Sequence, residues 1–332
     1  MQICVVGVGY WGPNLVRNFL FQDVVGSVYV CDTDQKRLSA IQKTFPMVKV
    51  EQQYERILEN KEIDAIVVAT PVSTHYMLAK KALLHGKHLL LEKPMTSNAV
   101  EAEELIEIAK ERGLTLMVDH TFIYTSAVEK IKEIVSSGTM GEITYFDSTR
   151  INLGLFQHDT NVAWDLAPHD LSIMLHLIPY RPIAVMATGI DHLQNGLEDM
   201  VYMTLFFKEN MIAHFSLSWV SPVKVRRTMI GCTKKMIVYD DMLNDEKIKV
   251  YDKGIDVGSK EQMEHALIQY RIGDAYSPAL ENREALSVEA AHFISCIQEG
   301  GTPITSGEHG LWVVKILEAV EQSIAECRKV YL

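Results

Sequence analysis

The pattern of apolar and polar residues changes character near His120. Before that point, short apolar runs alternate with stretches whose apolar residues follow helical spacing. The near-continuous apolar runs at residues 63–69 and 88–91 are typical of parallel strands buried on both faces. Alternation of this kind predicts a doubly wound α/β domain with a parallel sheet over residues 1–120.

Beyond His120 the pattern is typical of an open, mostly antiparallel sheet with helices, an α+β domain over residues 121–332. In its clearest strand Phe215, Leu217 and Trp219 point to one side and polar residues to the other. Such a face must be covered by helices or by another copy of the chain.

The first predicted strand runs directly into the turn Gly7-Val8-Gly9-Tyr10-Trp11-Gly12. With G-x-G-x-x-G spacing, the first glycine permits a tight turn and the second lets a pyrophosphate approach the backbone. The third lets the following helix pack closely on the strand, and the helix N-terminus offers free amides to phosphates. The turn therefore predicts a dinucleotide-binding loop that includes Tyr10 and Trp11.

Asp32 ends the second predicted strand, at the distance from Gly12 where a carboxylate usually binds the adenosine ribose. A carboxylate there also repels a 2'-phosphate, which favours NAD over NADP, although Lys36 and Arg37 lie close enough to soften that preference. The alternative is that Asp32 merely begins a turn.

Ligands of open α/β sheets bind beyond the carboxyl ends of the strands. Thr70 and Pro71 follow the run at 63–69, and His75 lies in the next predicted helix. We expect these three residues beside the cofactor, with His75 as a partly buried helix-start histidine in the alternative interpretation.

Glu92, Lys93 and Pro94 follow the run at 88–91, which also places Glu92 and Lys93 on the cofactor side. The Lys93 ammonium could bind a substrate hydroxyl or alkoxide. A cis peptide before Pro94 would aim Lys93 into the site. The alternative is a lysine on an ordinary surface loop.

Asp165 and His169 are four residues apart and share one face of a helix, which Pro168 predicts to begin near Asp165. A histidine that titrates near neutrality can accept a carbinol proton, and a neighbouring carboxylate can orient the ring or the substrate. In the alternative interpretation Asp165 is an N-cap and His169 a core histidine.

Composition limits the remaining possibilities. The formal net charge is −11 over 332 residues, which argues against nucleic-acid binding. The five cysteines show no C-x-x-C spacing, so neither a disulfide framework nor a zinc site is expected. Apolar runs are too short for a membrane span, and strand-like sequence from residue 2 leaves no room for a signal peptide, so we expect a cytoplasmic protein.

Taken together, the chain resembles the Gfo/Idh/MocA family of oxidoreductases over nearly its whole length. The glycine loop, the 69–75 segment, Glu92-Lys93-Pro94 and the Asp165 to His169 pair carry the resemblance. It implies a Rossmann domain joined to an open-faced sheet, a nicotinamide cofactor, and hydride transfer at a ring carbinol of a sugar or cyclitol. It also implies that Lys93 and His169 form the catalytic pair, with Asp165 touching the substrate or tuning the pair. We take His169 as the base.

Within the family, residues 164–170 and 119–122 look most like members that act on nucleotide-linked amino sugars, UDP-N-acetylglucosamine-type 3-dehydrogenases. Inositol-dehydrogenase-like members favour an asparagine-arginine motif where His120-Thr121 stands here. Arg150 could pair with a phosphate or uronate. Further substrate contacts are predicted at strand ends and in loops, where each is otherwise an ordinary residue: His120, Tyr124, Asn152 and Asn161.

These features favour an NAD-dependent sugar dehydrogenase, acting at C3 of a nucleotide sugar and assembling as a homodimer or homotetramer through the second-domain sheet. One alternative is a glycoside hydrolase of the same fold, in which tightly held NAD oxidises the sugar only transiently. Others are a dehydrogenase of free sugars or inositol and a non-catalytic, NAD-responsive binding protein. The joint presence of Lys93, Asp165 and His169 counts against the last.

Overall fold

The structure of the protein is a computed structural model that describes residues 1–154, 160–194, 196–208, 210–256 and 269–332. The chain divides into two compact units, one formed by residues 1–124 with 283–318 and the other by residues 125–282 with 319–332. This division differs from the contiguous one predicted at residue 120, because residues 283–318 return to the first unit. Among the described residues, no helix combines the length and apolarity needed to span a membrane.

The first unit is built on a parallel sheet of six strands: β1 (Gln2–Val6), β2 (Ser27–Cys31), β3 (Lys49–Glu51), β4 (Ala65–Val68), β5 (His88–Glu92) and β6 (Leu116–Asp119). Their spatial order is β3-β2-β1-β4-β5-β6, and every neighbouring pair is parallel. The doubly wound α/β prediction is therefore confirmed. The order reverses between β1 and β4, where such folds bind their ligands.

Helices connect these strands: α1 (Gly12–Leu20), α2 (Gln35–Thr44), α3 (Tyr54–Glu59), α4 (Val72–Leu84), α5 (Ala99–Glu111) and the 3₁₀ turn Thr121–Tyr124. Side-chain caps fix two of their starts. Asp34 accepts a hydrogen bond from the Lys36 amide, and Asn98 accepts one from the Glu101 amide.

Helix α8 (Ala285–Glu299) explains why the later segment belongs to the first unit. Its residue Phe293 is fully buried and meets Phe19 of α1 edge to face, with ring centroids 6.4 Å apart. Burial of one such side chain contributes roughly 1.5–3 kcal/mol. Beyond α8, Ser306 forms an antiparallel bridge with Met117, which covers the outer edge of β6.

The described part of the second unit contains a larger, mixed sheet: β7 (Ile143–Leu153), β8 (Ala184–Ile190), β9 (Met200–Phe206), β10 (Ile212–Ser218), β11 (Val220–Cys232), β12 (Met236–Asp240), β13 (Ile248–Tyr251), β16 (Ala275–Tyr276) and β17 (Val330–Tyr331). β14 (Gly254–Asp256) and β15 (Gln269–Arg271) pair antiparallel in a separate two-stranded sheet. The sheet order is β16-β13-β12-β11-β7-β10-β9-β8-β17, in which only β7 and β10 pair in parallel among the described strands. The expectation of an open, mostly antiparallel sheet is confirmed.

The remaining helices of the described ranges are α6 (Ser126–Ser136), α7 (Val162–Leu177) and α9 (Gly307–Glu326). Helix α7 packs against β7, β9 and β10. Phe215, Leu217 and Trp219 are buried within the chain, which confirms the first of the two predicted ways of covering their face, by helices. The homo-oligomer remains a prediction. The partly exposed apolar residues of β8, β9 and β10 lie on the face of the sheet opposite to Phe215.

Helix α7 also begins earlier than the sequence predicted. Asn161 is its N-cap, and the Asn161 side-chain oxygen accepts hydrogen bonds from the Ala163 and Trp164 amides. Pro168 therefore lies inside the helix rather than in its first turn. The prediction failed because a proline inside a helix removes one hydrogen bond without having to end the helix when packing supports both sides. The alternative interpretation of Asp165 as the N-cap was wrong for the same reason.

Candidate active site

The glycine loop has the geometry that a dinucleotide needs. Gly7 has a φ of +89°, and a Cβ atom there would lie 2.7 Å from the Ala69 carbonyl oxygen. A Cβ atom on Gly12 would lie 2.1 Å from the Gly7 carbonyl oxygen. The first and third glycines are thus required by the tight turn and by the close packing of helix on strand.

Gly9 differs because open space surrounds it. The nearest atom to a Cβ atom built there is Nη1 of the flexible Arg37 side chain, 3.7 Å away. Trp11 is the N-cap residue of α1 and makes no side-chain cap bond, while Pro13 has no N–H and the Asn14 amide donates to the Trp11 carbonyl at 2.9 Å. The loop and helix start therefore fit the pyrophosphate of a dinucleotide.

Asp32 is held rigidly beside this loop. The Asp32 Oδ2 atom accepts a hydrogen bond from the Val8 amide at 2.9 Å, and Oδ1 accepts one from the Asp34 amide at 2.8 Å. The guanidinium of Arg37 lies 3.7 Å from Oδ2. The carboxylate thus begins a turn, as the alternative interpretation held, and it also fixes the loop. Its remaining lone pairs could accept a ribose hydroxyl.

The ends of β4 and β5 are tied together by His75. Its ring nitrogens lie 2.7 Å from the Thr70 carbonyl oxygen and 3.0 Å from that of Pro94, and the side chain is 1% exposed. Burial lowers the pKa of His75, opposed by these two contacts. The geometry confirms a buried histidine near the helix start, and a direct cofactor contact for His75 remains a prediction. Pro71, also predicted beside the cofactor, is the N-cap residue of α4.

Lys93 lies at the end of β5, and the Lys93–Pro94 peptide is cis, as predicted. The side chain is half-buried. Its positive charge acts on neighbouring groups of the first unit: it contributes to the lowered pKa values of His75 and His120, in both cases after the larger effect of burial. Lys93 is thus an electrostatic centre of the carboxyl edge of this sheet.

His120 and Tyr124 lie inside the first unit. His120 is 1% exposed, and its ring meets that of His309 edge to face at 5.4 Å. Burial lowers the pKa of His120 well below its ordinary value, so the imidazole is neutral near pH 7. The Tyr124 hydroxyl is 3.0 Å from Oγ1 of Thr305. Substrate contacts for His120 and Tyr124 remain predictions, and their burial supports a role in packing.

Two buried carboxyls, Asp119 and Glu289, lie with the half-buried Glu92 at the same edge, and this grouping was not predicted. Asp119 ends β6, is 2% exposed and accepts a hydrogen bond from the Trp11 indole at 3.1 Å. Glu92 is its register partner on β5, and Glu289 of α8 is fully buried. One signal was present in the sequence, because Glu289 stands on the otherwise apolar face of its helix, three residues after Leu286.

In the second unit, Asp165 and His169 share one face of α7. Both are half-buried, whereas Trp164, Ala167 and Pro168 around them are buried. The two side chains are therefore among the few in the first turns of this helix that reach the surface of the unit. The prediction that Asp165 and His169 lie four residues apart on one helix is confirmed.

Two contacts fix this end of α7, and the sequence revealed neither. The Trp219 indole donates a hydrogen bond to Asp165 Oδ2 at 3.1 Å, and the Trp219 amide donates to the Asp199 carbonyl at 2.9 Å. Asn161, predicted to contact the substrate, is 4% exposed and donates from Nδ2 to Glu198 at 2.9 Å. Glu198 and Asp199, which precede β9, therefore bind the N-cap residue Asn161 and the Asp165 partner Trp219 respectively.

Arg150 forms a buried ion pair with Asp170. Two hydrogen bonds of 2.8 Å join the guanidinium to both carboxylate oxygens, and both side chains are nearly inaccessible. This pairing supports a structural role for Arg150, and its predicted contact with a phosphate or uronate is untested. Asn152 is half-buried near the end of β7.

Comparison with known proteins decides the family. Residues 1–120 match the profile of the oxidoreductase family, NAD-binding Rossmann fold, and residues 128–238 match the GFO/IDH/MocA C-terminal domain. The chain belongs to the Gfo/Idh/MocA family. The resemblance predicted from the glycine loop, Glu92-Lys93-Pro94 and the Asp165 to His169 pair is thus confirmed, and a nicotinamide cofactor follows from it.

Members of this family with known activities differ in substrate. The chain is 27% identical to UDP-N-acetylglucosamine 3-dehydrogenase of Acidithiobacillus ferrooxidans, over 76% of this chain and 78% of that protein. It is 24% identical to an NADP-dependent scyllo-inositol 2-dehydrogenase of Bacillus subtilis, over 100% and 96% of the two chains. The solved structure of the Acidithiobacillus enzyme superposes with a TM-score of 0.82, at 23% identity and 98% coverage of each chain, which supports the fold.

Proposed function

We propose that this protein is an NAD-dependent sugar dehydrogenase that acts at C3 of a nucleotide sugar. The observation that carries the proposal is the Asp165 and His169 pair, which shares one helix face while the Trp219 indole fixes Asp165. A histidine near neutrality can serve as a general base, and a fixed carboxylate on the same helix face can orient its ring or the substrate. The bound nicotinamide would accept or supply the hydride.

In this proposal the side chains handle the proton and the orientation of the substrate. His169 accepts the proton of the carbinol hydroxyl as it is oxidised and returns it in the reverse reaction. The Lys93 ammonium donates a hydrogen bond to the same oxygen and stabilises its developing negative charge. Asp165 orients the histidine or the substrate.

NAD is proposed over NADP because of the way Asp32 is held. Hydrogen bonds from the Val8 and Asp34 amides hold both carboxylate oxygens, so the group cannot turn away from a 2'-phosphate. The Arg37 guanidinium 3.7 Å away weakens the repulsion without removing the charge.

The proposed substrate rests on two observations. The similar Acidithiobacillus protein is a UDP-N-acetylglucosamine 3-dehydrogenase. In addition, His120-Thr121 stands where inositol-dehydrogenase-like members favour asparagine-arginine. The similarity to a scyllo-inositol dehydrogenase makes free cyclitols the competing substrate class.

We also propose that the active form is a homodimer or homotetramer that associates through the second-unit sheet. Partly exposed apolar side chains lie on the face of the sheet opposite to Phe215, and an exposed patch of this kind favours association. They are Met186, Ile190, Tyr202 and Ile212. Light scattering of the wild type and of a Tyr202→Lys variant tests this assignment, which predicts a smaller particle for the variant.

The test of the activity is absorbance at the nicotinamide band while the protein and NAD meet a panel of UDP-sugars, free sugars and inositols. The proposal predicts an increase with one UDP-sugar. An increase with an inositol alone would overturn the substrate class. Conversion of a sugar without net NADH would instead indicate a closed redox cycle, as in an NAD-using glycoside hydrolase.

A further inference from the structure

Trp11 joins the dinucleotide loop to the buried end of a neighbouring strand. The indole N–H of Trp11 is 3.1 Å from Asp119 Oδ2, and the Thr121 hydroxyl donates to the other oxygen of Asp119. An indole can only donate a hydrogen bond, so this anchor depends on an acceptor held in one orientation. Asp119 is that acceptor, and it is 2% exposed.

Glu289 approaches Asp119 from helix α8. It is 0% exposed, and its carboxyl faces Asp119, Thr121 and the carboxyl of Glu92. Among the described residues, neither oxygen of Glu289 has a hydrogen-bond partner of standard geometry. A carboxyl that faces a carboxylate without another partner satisfies both groups when it carries the shared proton.

The electrostatics of the group agree with that geometry. Burial, followed by the negative charge of Asp119, raises the pKa of Glu289 well above its ordinary value. The same two causes raise the pKa of Glu92, with an opposing contribution from Lys93. Both effects favour the protonated form of Glu92 and Glu289. A charge on Glu289 would repel Asp119 at short range in a medium of low dielectric constant.

We propose that Glu289 is a positioning residue of the dinucleotide site, which as a neutral carboxyl holds Asp119 in the orientation that anchors Trp11 and the glycine loop. The proposal rests on the cofactor binding assigned above and is independent of the sugar. The proposal gives residues 283–318 a part in cofactor binding, although they are far from the glycine loop in sequence.

A pH dependence follows from the groups that face Glu289. They are Asp119 on β6, Glu92 on β5 with Lys93 beside it, and Tyr124 on the 3₁₀ turn. Three of them are negative or neutral acids, so loss of the Glu289 proton adds repulsion. Because burial and the charge of Asp119 raise the pKa of Glu289 in the folded protein, the anchor is favoured below that pKa and weakens as the pH rises through it.

The test is calorimetric titration of the purified full chain with NAD between pH 6 and pH 10. We expect Glu289→Leu to weaken NAD binding about tenfold, as for loss of one hydrogen bond to a charged group. Glu289→Gln keeps a neutral donor of the same size, so we expect it to retain affinity within about threefold of the wild type. We expect binding to the wild type to weaken when Glu289 loses its proton, and we expect the Gln variant to lack this weakening.

A double-mutant cycle tests whether the effect passes through Trp11. We expect Trp11→Phe to weaken binding about tenfold and the Trp11→Phe/Glu289→Leu variant to be no weaker, because both changes break one anchor. Additive losses would overturn the proposal, as would equal alkaline weakening in Glu289→Gln and the wild type. The pH profile of Glu289→Gln decides the matter if Glu289→Leu does not fold. A wild-type protein that binds no NAD would instead overturn the cofactor assignment itself.

Discussion

The indole N–H of the buried Trp219 donates a hydrogen bond of 3.1 Å to Asp165 Oδ2. Trp219 directly follows β10, which packs against α7, and the Trp219 amide donates a hydrogen bond to the Asp199 carbonyl. The orientation of the proposed catalytic carboxylate therefore depends on a core residue of the sheet. An anchored carboxylate loses little orientational freedom when the substrate arrives, which is the benefit of a preorganised site.

We predict that Trp219→Phe lowers kcat about tenfold while the Kd for NAD stays unchanged, because one hydrogen bond to a carboxylate is lost. Steady-state kinetics with the substrate found in the panel checks this. Trp164→Phe is the matched control. The Trp164 indole nitrogen is buried and has no hydrogen-bond partner among the described residues, so the same change there removes no bond. Equal losses in both variants would contradict the orienting role of Trp219.

His169→Ala should lower kcat by about a hundredfold or more, the usual contribution of a general base, with NAD binding unchanged. His176→Gln, on the same helix, serves as the control and should keep most of the activity. Turnover near the wild-type value in His169→Ala would remove His169 as the base and leave Lys93 as the candidate.

Asp32→Ala should weaken NAD binding and improve binding of NADP, because the variant loses both the ribose acceptor and the charge that repels a 2'-phosphate. The ratio of the two Kd values, measured by titration, is the readout. Asp34→Asn removes a neighbouring charge but leaves Asp32 in place, and this ratio should not change. An unchanged ratio in Asp32→Ala would show that Asp32 serves only the turn.

Arg150→Met should destabilise the protein by about 3–5 kcal/mol, since it leaves the Asp170 carboxylate buried without its charge partner. Replacing both residues, as in Arg150→Met/Asp170→Leu, should recover much of the loss. Urea unfolding measures both variants. Normal stability of Arg150→Met together with a raised KM would instead favour the substrate contact predicted from the sequence.

Local sequence patterns predicted the first unit well. The tight turn at Gly7 and Gly12 and the place of Asp32 beside the loop follow from short-range spacing, because strand, turn and helix start lie within a few residues of one another. The buried apolar runs likewise predicted β4 and β5, and the cis peptide before Pro94 was anticipated from the motif around it.

Long-range contacts account for what the sequence did not reveal. Glu289 meets Asp119 and Trp219 meets Asp165 only after elements far apart in the chain have packed. The start of α7 was missed because Pro168 is a strong local signal, whereas the Asn161 cap is supported by Glu198 of another element. The predicted substrate contacts lay on residues that packing buries, such as Tyr124 and Arg150.

The return of residues 283–318 to the first unit also bears on how the protein is made. When the first 124 residues leave the ribosome, the surface of Phe19 that Phe293 covers is still bare, and the outer edge of β6 lacks Ser306. Synthesis proceeds from the N-terminus, so the nascent dinucleotide domain must wait for the second unit to be translated before its core closes. We therefore expect chaperones to meet this domain early, and truncated chains that end after residue 124 to aggregate rather than bind NAD.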